Sequence, residues 1–165
     1  MAAARVLYVG DDICHRIPVM ESTGICVLRA ECSVGGVRGS LVTREPISAV
    51  TFNNDVFPPP KAVVSTAREL ALAPLILLRN TAVECDEEVF DAVIDMDFSP
   101  TIWTKSLEQI IAEAHRIQKQ SRQLHRECEA VRDVCRGLRE ISARNCKRPV
   151  DYDVLFRPKG EETEE

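Results

Sequence analysis

The sequence predicts a doubly wound α/β domain, in which helices cover both faces of a five-stranded parallel sheet, followed by an extended C-terminal helix. Two observations support this fold class. Short apolar runs alternate with helical patterns over the first part of the chain, and parallel neighbours in a sheet require long, right-handed crossovers of this kind. Between Pro100 and Pro149 the chain has no other proline and a single glycine, Gly137, which favours one long helix or two consecutive helices.

Five short apolar runs are the predicted strands. They occupy residues 5–9, 25–28, 47–52, 74–78 and 91–94. The first and third runs end in polar clusters at residues 10–12 and 53–55. This pattern is typical of buried parallel strands that lead into loops.

The segments between the strands are predicted to be helical to different degrees. Pro18 interrupts a helix over residues 13–20, and three prolines precede a helix with an apolar side. That side comprises Val63, Ala67, Leu70 and Leu72. Three glycines weaken the helix expected over residues 31–41, so a loose helix or a loop is predicted there. Residues 87–90 provide one or two helical turns at most.

Length and composition limit the chain to one sizeable domain with an appendage. Its 165 residues, 45% of them hydrophobic, suffice for one well-filled core. The net charge is −6 over residues 1–104, +5 over residues 105–149 and −4 over residues 150–165. We therefore predict a globular domain at 1–117, a helical extension at 118–148 and an extended acidic tail at 149–165.

The seven cysteines indicate neither a disulfide framework nor a metal cluster, because their number is odd and no two form CxxC. We expect most of them to act as small apolar residues. The N-terminal segment lacks the order of a secretory signal peptide, and no apolar run approaches the roughly 18 residues of a membrane span. A cytoplasmic protein without a membrane partner is expected.

A family resemblance rests on the segments VLYVGDD, GICVLRAEC, ISAVTFNND, APLILLR and DAVIDMDFSP. In order and spacing, residues 4–117 resemble the receiver domains of bacterial response regulators, which implies a flavodoxin-like sheet. The resemblance also implies transfer of a phosphoryl group from a histidine kinase to an aspartate, with Mg²⁺ held by acidic residues. Such a site has a carboxylate nucleophile after the third strand, two acids after the first, a hydroxyl after the fourth and a lysine after the fifth.

The resemblance places a different set of side chains at most of these positions. The positions correspond to Gly10, Asp11 and Asp12 for the acids, Asn53 for the nucleophile, Arg79 for the hydroxyl and Met96 for the lysine. The amide of Asn53 cannot become an acyl phosphate. The resemblance therefore implies the fold together with a degenerate phosphoacceptor pocket that has no catalytic residue, no metal and no cofactor.

Two alternatives concern the charged residues of this pocket. Asp55 could accept a phosphoryl group if the site is shifted by two residues, with Mg²⁺ held by Asp11 and Asp12. Arg79 could pair with one of these three acids and take the charge role of the metal or the lysine, or it could point into solvent.

A heptad seam runs along the predicted C-terminal helix. Its apolar or small residues, in steps of three and four, are Leu107, Ile110, Ala114, Ile117, Ser121, Leu124, Cys128, Val131, Cys135 and Leu138. The seam predicts a homodimer built on this helix as a two-stranded coiled coil. The alternative is a monomer in which the helix breaks near Ser121 or Gly137 and folds back as a hairpin.

The remaining function classes are disfavoured. The basic residues of the helix alternate with acidic ones, and neither a helix-turn-helix pattern nor an aromatic stacking surface is visible, which argues against nucleic-acid binding. A nucleotide-binding enzyme would need a glycine fingerprint that is missing. The sequence thus predicts a non-enzymatic, receiver-like signalling module that contacts other signalling proteins, with the Asp55 phosphoacceptor as the alternative.

Overall fold

The computed structural model describes residues 4–42 and 46–146. The predicted acidic tail at 149–165 lies outside these described residues. The chain divides into two compact units, residues 1–119 and residues 120–165. The sheet belongs to the first unit.

The sheet has five strands, all parallel, in the order β2-β1-β3-β4-β5. The strands are β1 (Arg5–Val9), β2 (Cys26–Ala30), β3 (Ala49–Asn53), β4 (Leu75–Arg79) and β5 (Ala92–Asp95). The predicted fold class is confirmed, and every strand lies within two residues of its predicted bounds.

Helices cover both faces of the sheet. They are α1 (Arg16–Ser22), α2 (Val34–Leu41), α3 (Lys61–Leu70) and α4 (Pro100–Cys146), with a 3-10 turn at Glu87–Val89. One face packs against α1 and the first turns of α4, and the other packs against α2 and α3. The arrangement is doubly wound.

Strand β1 shows how the sequence supplies both layers of the core. Val6 and Tyr8 belong to the cluster under α1 and α4, whereas Leu7 and Val9 belong to the cluster under α2 and α3. All four side chains are buried. Successive residues of a strand point to opposite faces, so a strand buried on both faces reads as a continuous apolar run.

Helix α2 forms over Val34–Leu41 despite its three glycines, so the helix expected within residues 31–41 is present and the loop alternative is wrong. The hydroxyl of Ser33 accepts the backbone N–H of Gly36 at 3.0 Å and caps the helix. A Cβ on Gly36 would lie 2.7 Å from the carbonyl oxygen of Glu31. Close packing of the helix entrance therefore requires this glycine.

The apolar side predicted for α3 is partly wrong. Val63 and Ala67 are buried as expected, but Leu70 and Leu72 are exposed. Helix α3 ends at Leu70, and the backbone of Ala71 is extended. Leu72 therefore falls outside the helical period that would have turned it toward the core.

Helix α4 is continuous over 47 residues, without a break at Ser121 or Gly137. In the first unit it packs on the sheet, where Leu107 is fully buried and Ile110 and Ala114 are half-buried. Leu107 is therefore a core residue and unavailable to a partner, which corrects its predicted place in the dimer seam. Ile117, the next residue of the seam, is exposed.

Six of the seven cysteines are exposed, and all seven are free thiols. The expectation that most act as small apolar residues is wrong. Cys26 lies on an edge strand, Cys14 and Cys32 lie in loops, and the last three occupy exposed positions of α4.

Among the described helices, none has the length and apolar character that a membrane crossing requires.

Candidate functional site

The carboxyl ends of β1 and β3 form the candidate site. Strand β1 lies between β2 and β3, and the helices that follow β1 and β3 pack on opposite faces of the sheet. Such a reversal opens a crevice at the carboxyl edge, which is where open α/β sheets bind ligands. The end of β3 and the loops after these two strands contain all predicted pocket residues except Arg79 and Met96.

Asn53, the last residue of β3, links the two strand ends. Its Nδ2 donates to the hydroxyl of Tyr8 at 2.7 Å and to the carbonyl oxygen of Asp11 at 2.8 Å. Gly10 lies beside it with a φ of +116°, and a Cβ there would stand 3.1 Å from Asn53 Oδ1. The glycine therefore permits both the unusual backbone and the close approach of the amide.

Tyr8 places a polar group at the floor of this crevice. Its side chain is buried in the core. Burial raises the pKa of the phenol, although the hydrogen bond from Asn53 and the charge of Arg16 act in the opposite direction. The neutral hydroxyl accepts the amide proton of Asn53.

Asp12 is committed to the start of α1. Its Oδ1 accepts the backbone N–H of Arg16 at 2.7 Å, and its Oδ2 accepts that of Ile17 at 3.1 Å. Both carboxylate oxygens thus satisfy N–H groups that have no partner within the helix. Asp11, by contrast, is exposed.

A buried ion pair between Arg16 and Asp55 occupies the crevice. The guanidinium donates two bonds to the carboxylate, with Nη1 at 2.7 Å from Oδ2 and Nη2 bonded to Oδ1. The side chains are only 7% and 5% exposed. Burial opposes the charge on Arg16, but the hydrogen bonds and the charge of Asp55 prevail and raise its pKa. The pair is bidentate and charge-assisted, a geometry that fixes both side chains.

Asn54 fastens the same loop to the end of β4. The residue is fully buried, and its Nδ2 donates to the carbonyl oxygens of Asn80 and Val83 at 3.2 Å and 2.8 Å. Its Oδ1 accepts the backbone N–H of Asn80 at 2.6 Å. The loop that holds Asp55 is therefore anchored on the side of β4.

Arg79 does not reach the crevice, so both predicted alternatives for this residue are wrong. Its Nε donates to Asp95 and its Nη1 to Glu87, each at 2.5 Å. These bonds raise the pKa of the guanidinium. Arg79 thus ties the end of β4 to β5 and to the 3-10 turn, because the end of β4 lies next to β5 and away from β1.

The position after β5 carries no cation. Met96 is half-buried against the core, and its backbone N–H donates to the carbonyl oxygen of Arg79 at 3.0 Å. Nearby, the hydroxyl of Thr81 donates to Asp97 at 2.9 Å. The edge of β4 and β5 is therefore held by internal polar contacts.

The donor set does not fit Mg²⁺. This ion requires several oxygen ligands, commonly carboxylates. Asp55 is paired with Arg16, Asp12 caps α1, and Asn53 presents its amide nitrogen to Tyr8 and the loop. Within the described ranges, no cluster of three His, Cys, Asp or Glu side chains is placed to hold a metal ion.

A groove of about 910 Å³ opens on the face of the sheet covered by α3. Its walls are the triple proline, α3 and residues 84–90. The crossover from β4 to β5 provides a single 3-10 turn where a doubly wound fold has space for a helix. Lys61–Asp86 and Arg68–Asp91 ion pairs, at 3.3 Å and 2.6 Å, lie at this groove.

Sequence reasoning missed three residues of the site: Tyr8, Arg16 and Asn54. The available signals were one tyrosine near the end of a buried strand and one arginine directly before the apolar residues 17–20. Neither signal identifies the partner, because Arg16 and Asp55 are separated by 39 positions in the chain.

Comparison with known proteins supports the fold alone. No protein-family model and no curated protein matches the chain. Among solved structures, a CheY-like response regulator receiver domain protein from Methanospirillum hungatei JF-1 is 14% identical, with a TM-score of 0.53. The match covers 70% of this chain and 98% of that one.

Two further structural neighbours carry other descriptions. An adenylate cyclase from Rhodopirellula baltica is 14% identical with a TM-score of 0.59, over 74% of this chain and 97% of that one. A fusion protein containing a trimeric coiled-coil segment of yeast Spc42 is 9% identical with a TM-score of 0.57, over 82% and 98%. At these identities the neighbours establish a receiver-like fold, and the site must be interpreted from its own residues.

Proposed function

We propose that the protein is a non-enzymatic, receiver-like signalling module that acts through protein contacts and is not phosphorylated at the end of β3. The observation that carries the proposal is the pairing of Arg16 with Asp55, beside an amide at the strand end. Together they leave the end of β3 and the loop after it without an available carboxylate nucleophile.

The side chain at the end of β3 cannot perform the family's chemistry. An acyl phosphate forms when a carboxylate oxygen attacks phosphorus, and Asn53 offers an amide. Its nitrogen already donates two hydrogen bonds. Asn53 therefore acts as a structural link between the ends of β1 and β3.

Asp55 is unsuited to the alternative role of phosphoacceptor. Both of its carboxylate oxygens accept from Arg16, and the pair is shielded from solvent. An attacking oxygen would have to leave the guanidinium, which would then be a buried, unpaired cation. Mg²⁺ would also lack Asp12, whose oxygens cap α1.

The guanidinium of Arg16 provides a permanent positive charge in the crevice. In a phosphorylated receiver, cations offset charge that arrives with the phosphoryl group. Here the permanent cation of Arg16 neutralises the permanent anion of Asp55, and both residues belong to the same chain. The crevice is therefore held in a single state, and the protein contacts are independent of phosphorylation.

Exposed apolar side chains in the second unit support a homodimer as the mode of protein contact. Leu124, Val131 and Leu138 lie one heptad apart on α4 and are each about 60% exposed. Burying a side chain of this size contributes roughly 1.5 to 3 kcal/mol. A second copy of the helix provides a matching surface.

A calorimetric titration with Mg²⁺ tests the proposed state of the crevice. We expect no saturable binding at millimolar Mg²⁺, because no set of free carboxylates converges there. Binding in the wild-type protein that disappears in Asp55→Asn would overturn the proposal and favour the phosphoacceptor alternative. Glu84→Gln, at the separate groove, is the matched control for loss of one acidic charge.

Light scattering of the full chain tests the homodimer. A dimer is expected at tens of micromolar, and Leu124→Asp with Leu138→Asp is expected to give a monomer. The control, Arg126→Asp, changes an exposed residue of the same helix outside the seam. A monomeric wild-type protein would contradict this part of the proposal.

A further inference from the structure

We propose that residues 120–146 of α4 pair with the same segment of a second copy as a parallel, in-register, two-stranded coiled coil, so that Cys128 and Cys135 each face their own counterpart. The inference rests on the proposed homodimer and specifies its geometry. The surface lies within the second unit.

The register follows from the spacing of exposed apolar residues. Steps of four and three connect Leu124, Cys128, Val131, Cys135 and Leu138. All five are exposed. In heptad notation, leucine and valine occupy the d positions and the two cysteines occupy the a positions, which face the partner helix.

A second frame can be drawn through Val131, Val134, Leu138 and Ile141, which are also exposed. Continued toward the N-terminus, this frame places Glu127 in the core. A buried, unpaired carboxylate is strongly unfavourable. The frame with the cysteines keeps every core position from residue 124 to residue 138 apolar or small, so it defines the seam.

The flanking charges select the direction of the partner. On one side of the seam, the e positions hold His125, Arg132 and Arg139, and on the other side, the g position before Cys128 holds Glu127. In a parallel pair, a g position meets the e position five residues later on the other helix. Glu127 then meets Arg132 of the second copy. An antiparallel pair opposes e to e and would bring Arg132 and Arg139 against basic residues.

The ion pairs of the single chain leave Glu127 and Arg132 available. Arg136 pairs with Asp133 at 3.3 Å on the outer side of the helix. Glu127 accepts from the amide of Gln123 at 3.0 Å but meets no cation among the described residues. Across the same described ranges, Arg132 likewise forms no ion pair. Glu127 and Arg132 are therefore free to pair between copies, whereas His125 lies 3.3 Å from Glu129 of its own helix.

Small side chains at the a positions complete the geometry. In a parallel pair, equivalent a residues face each other across the twofold axis with Cα atoms roughly 6 Å apart, which suits a disulfide. In an antiparallel pair, an a position faces a d position. Cross-linking of a single cysteine to its own counterpart is thus specific to the parallel, in-register arrangement.

The test uses full-length variants that each retain one cysteine, with the other six replaced by serine. One retains Cys128, one retains Cys135, and the control has no native cysteine but carries Asp133→Cys on the outer side of α4. Each protein is equilibrated with oxidised glutathione, so that two protein thiols become one disulfide while one oxidised glutathione becomes two reduced molecules. Covalent dimer is measured by non-reducing electrophoresis.

We expect nearly complete dimer for the Cys128 and Cys135 proteins and at least about tenfold less for the control. A dimer in light scattering without this selective cross-linking would overturn the parallel register while leaving the proposed homodimer intact. Cross-linking of the Asp133→Cys control to the same extent as the Cys128 and Cys135 proteins would show that oxidation does not depend on the seam, and would also overturn the inference. A monomer in light scattering would refute both.

A charge exchange gives an independent readout. Glu127→Arg is expected to raise the dimer dissociation constant about three- to tenfold, and Glu127→Arg with Arg132→Glu is expected to restore it. The matched exchange Asp133→Arg with Arg136→Asp, on the outer side, is expected to leave the dissociation constant unchanged. Failure of the double variant to recover would contradict the proposed contact.

Discussion

Replacing Arg16 with methionine removes the cation of the buried pair while retaining most of the apolar stem of the side chain. The carboxylate of Asp55, 5% exposed, would then be left without its partner. The backbone N–H of Arg16 would keep its bond to Asp12, so the start of α1 would remain capped. The substitution therefore isolates the charge pair from the helix cap.

The expected magnitude follows from the burial of the pair. Breaking a buried ion pair by removing one partner costs about 3 to 5 kcal/mol, because an uncompensated charge remains. Both side chains are more than nine-tenths buried, so solvent screening relieves little of this penalty. Arg68–Asp91 provides a matched contrast, since both of its side chains are over 40% exposed. Arg68→Met should cost about 1 kcal/mol or less.

Urea unfolding at one fixed protein concentration measures these differences. Trp103, the single tryptophan of the chain, is buried against the sheet and reports loss of the core by fluorescence. The double variant Arg16→Met with Asp55→Leu should recover most of the stability, because it removes both charges. A loss below about 1 kcal/mol for Arg16→Met, or no recovery in the double variant, would refute the locked crevice.

Three further predictions concern the residues around the pair. Asn54→Ala should lower the free energy of unfolding by about 1 to 3 kcal/mol, because the N–H of Asn80 and two carbonyl groups lose their partner; urea unfolding measures this loss. Gly10→Ala should cost about 1 to 3 kcal/mol through its positive φ and its contact with Asn53, whereas Gly39→Ala, in open space on α2, should stabilise by up to about 1 kcal/mol. Burial raises the pKa of Tyr8. The contribution of the neutral phenol to stability is therefore present below the ordinary tyrosine pKa near 10 and is lost as the pH rises through the raised value. An ultraviolet titration should show a phenol transition at high pH that Tyr8→Phe removes.

The fold could be predicted because each strand is a short apolar run, and a strand buried on both faces needs no alternation. For α2 the same method left a weak helix and a loop open, since its glycines have poor helix propensity. The N-cap bond from Ser33 and the close approach at Gly36 favour the helix. Both effects depend on contacts that propensity does not include.

The site could be located but its contacts could not be assigned. Apolar runs that end in polar clusters identify the carboxyl ends of β1 and β3. Which arginine pairs with Asp55 depends on where α1 and β4 lie in the folded chain: Arg16 begins the helix above the crevice, while Arg79 ends a strand beside β5. The heptad seam is similarly ambiguous, because one continuous pattern serves the core at Leu107 and an exposed surface at Leu124.

Incubation with a small-molecule phosphodonor and Mg²⁺, followed by intact mass, tests the central claim most directly. Asn53 and the paired Asp55 leave no carboxylate able to attack phosphorus at the end of β3 or in the loop after it, so the mass of the wild-type protein should remain unchanged. A gain of one phosphate that is absent in Asp55→Asn would contradict the account and identify Asp55 as a phosphoacceptor.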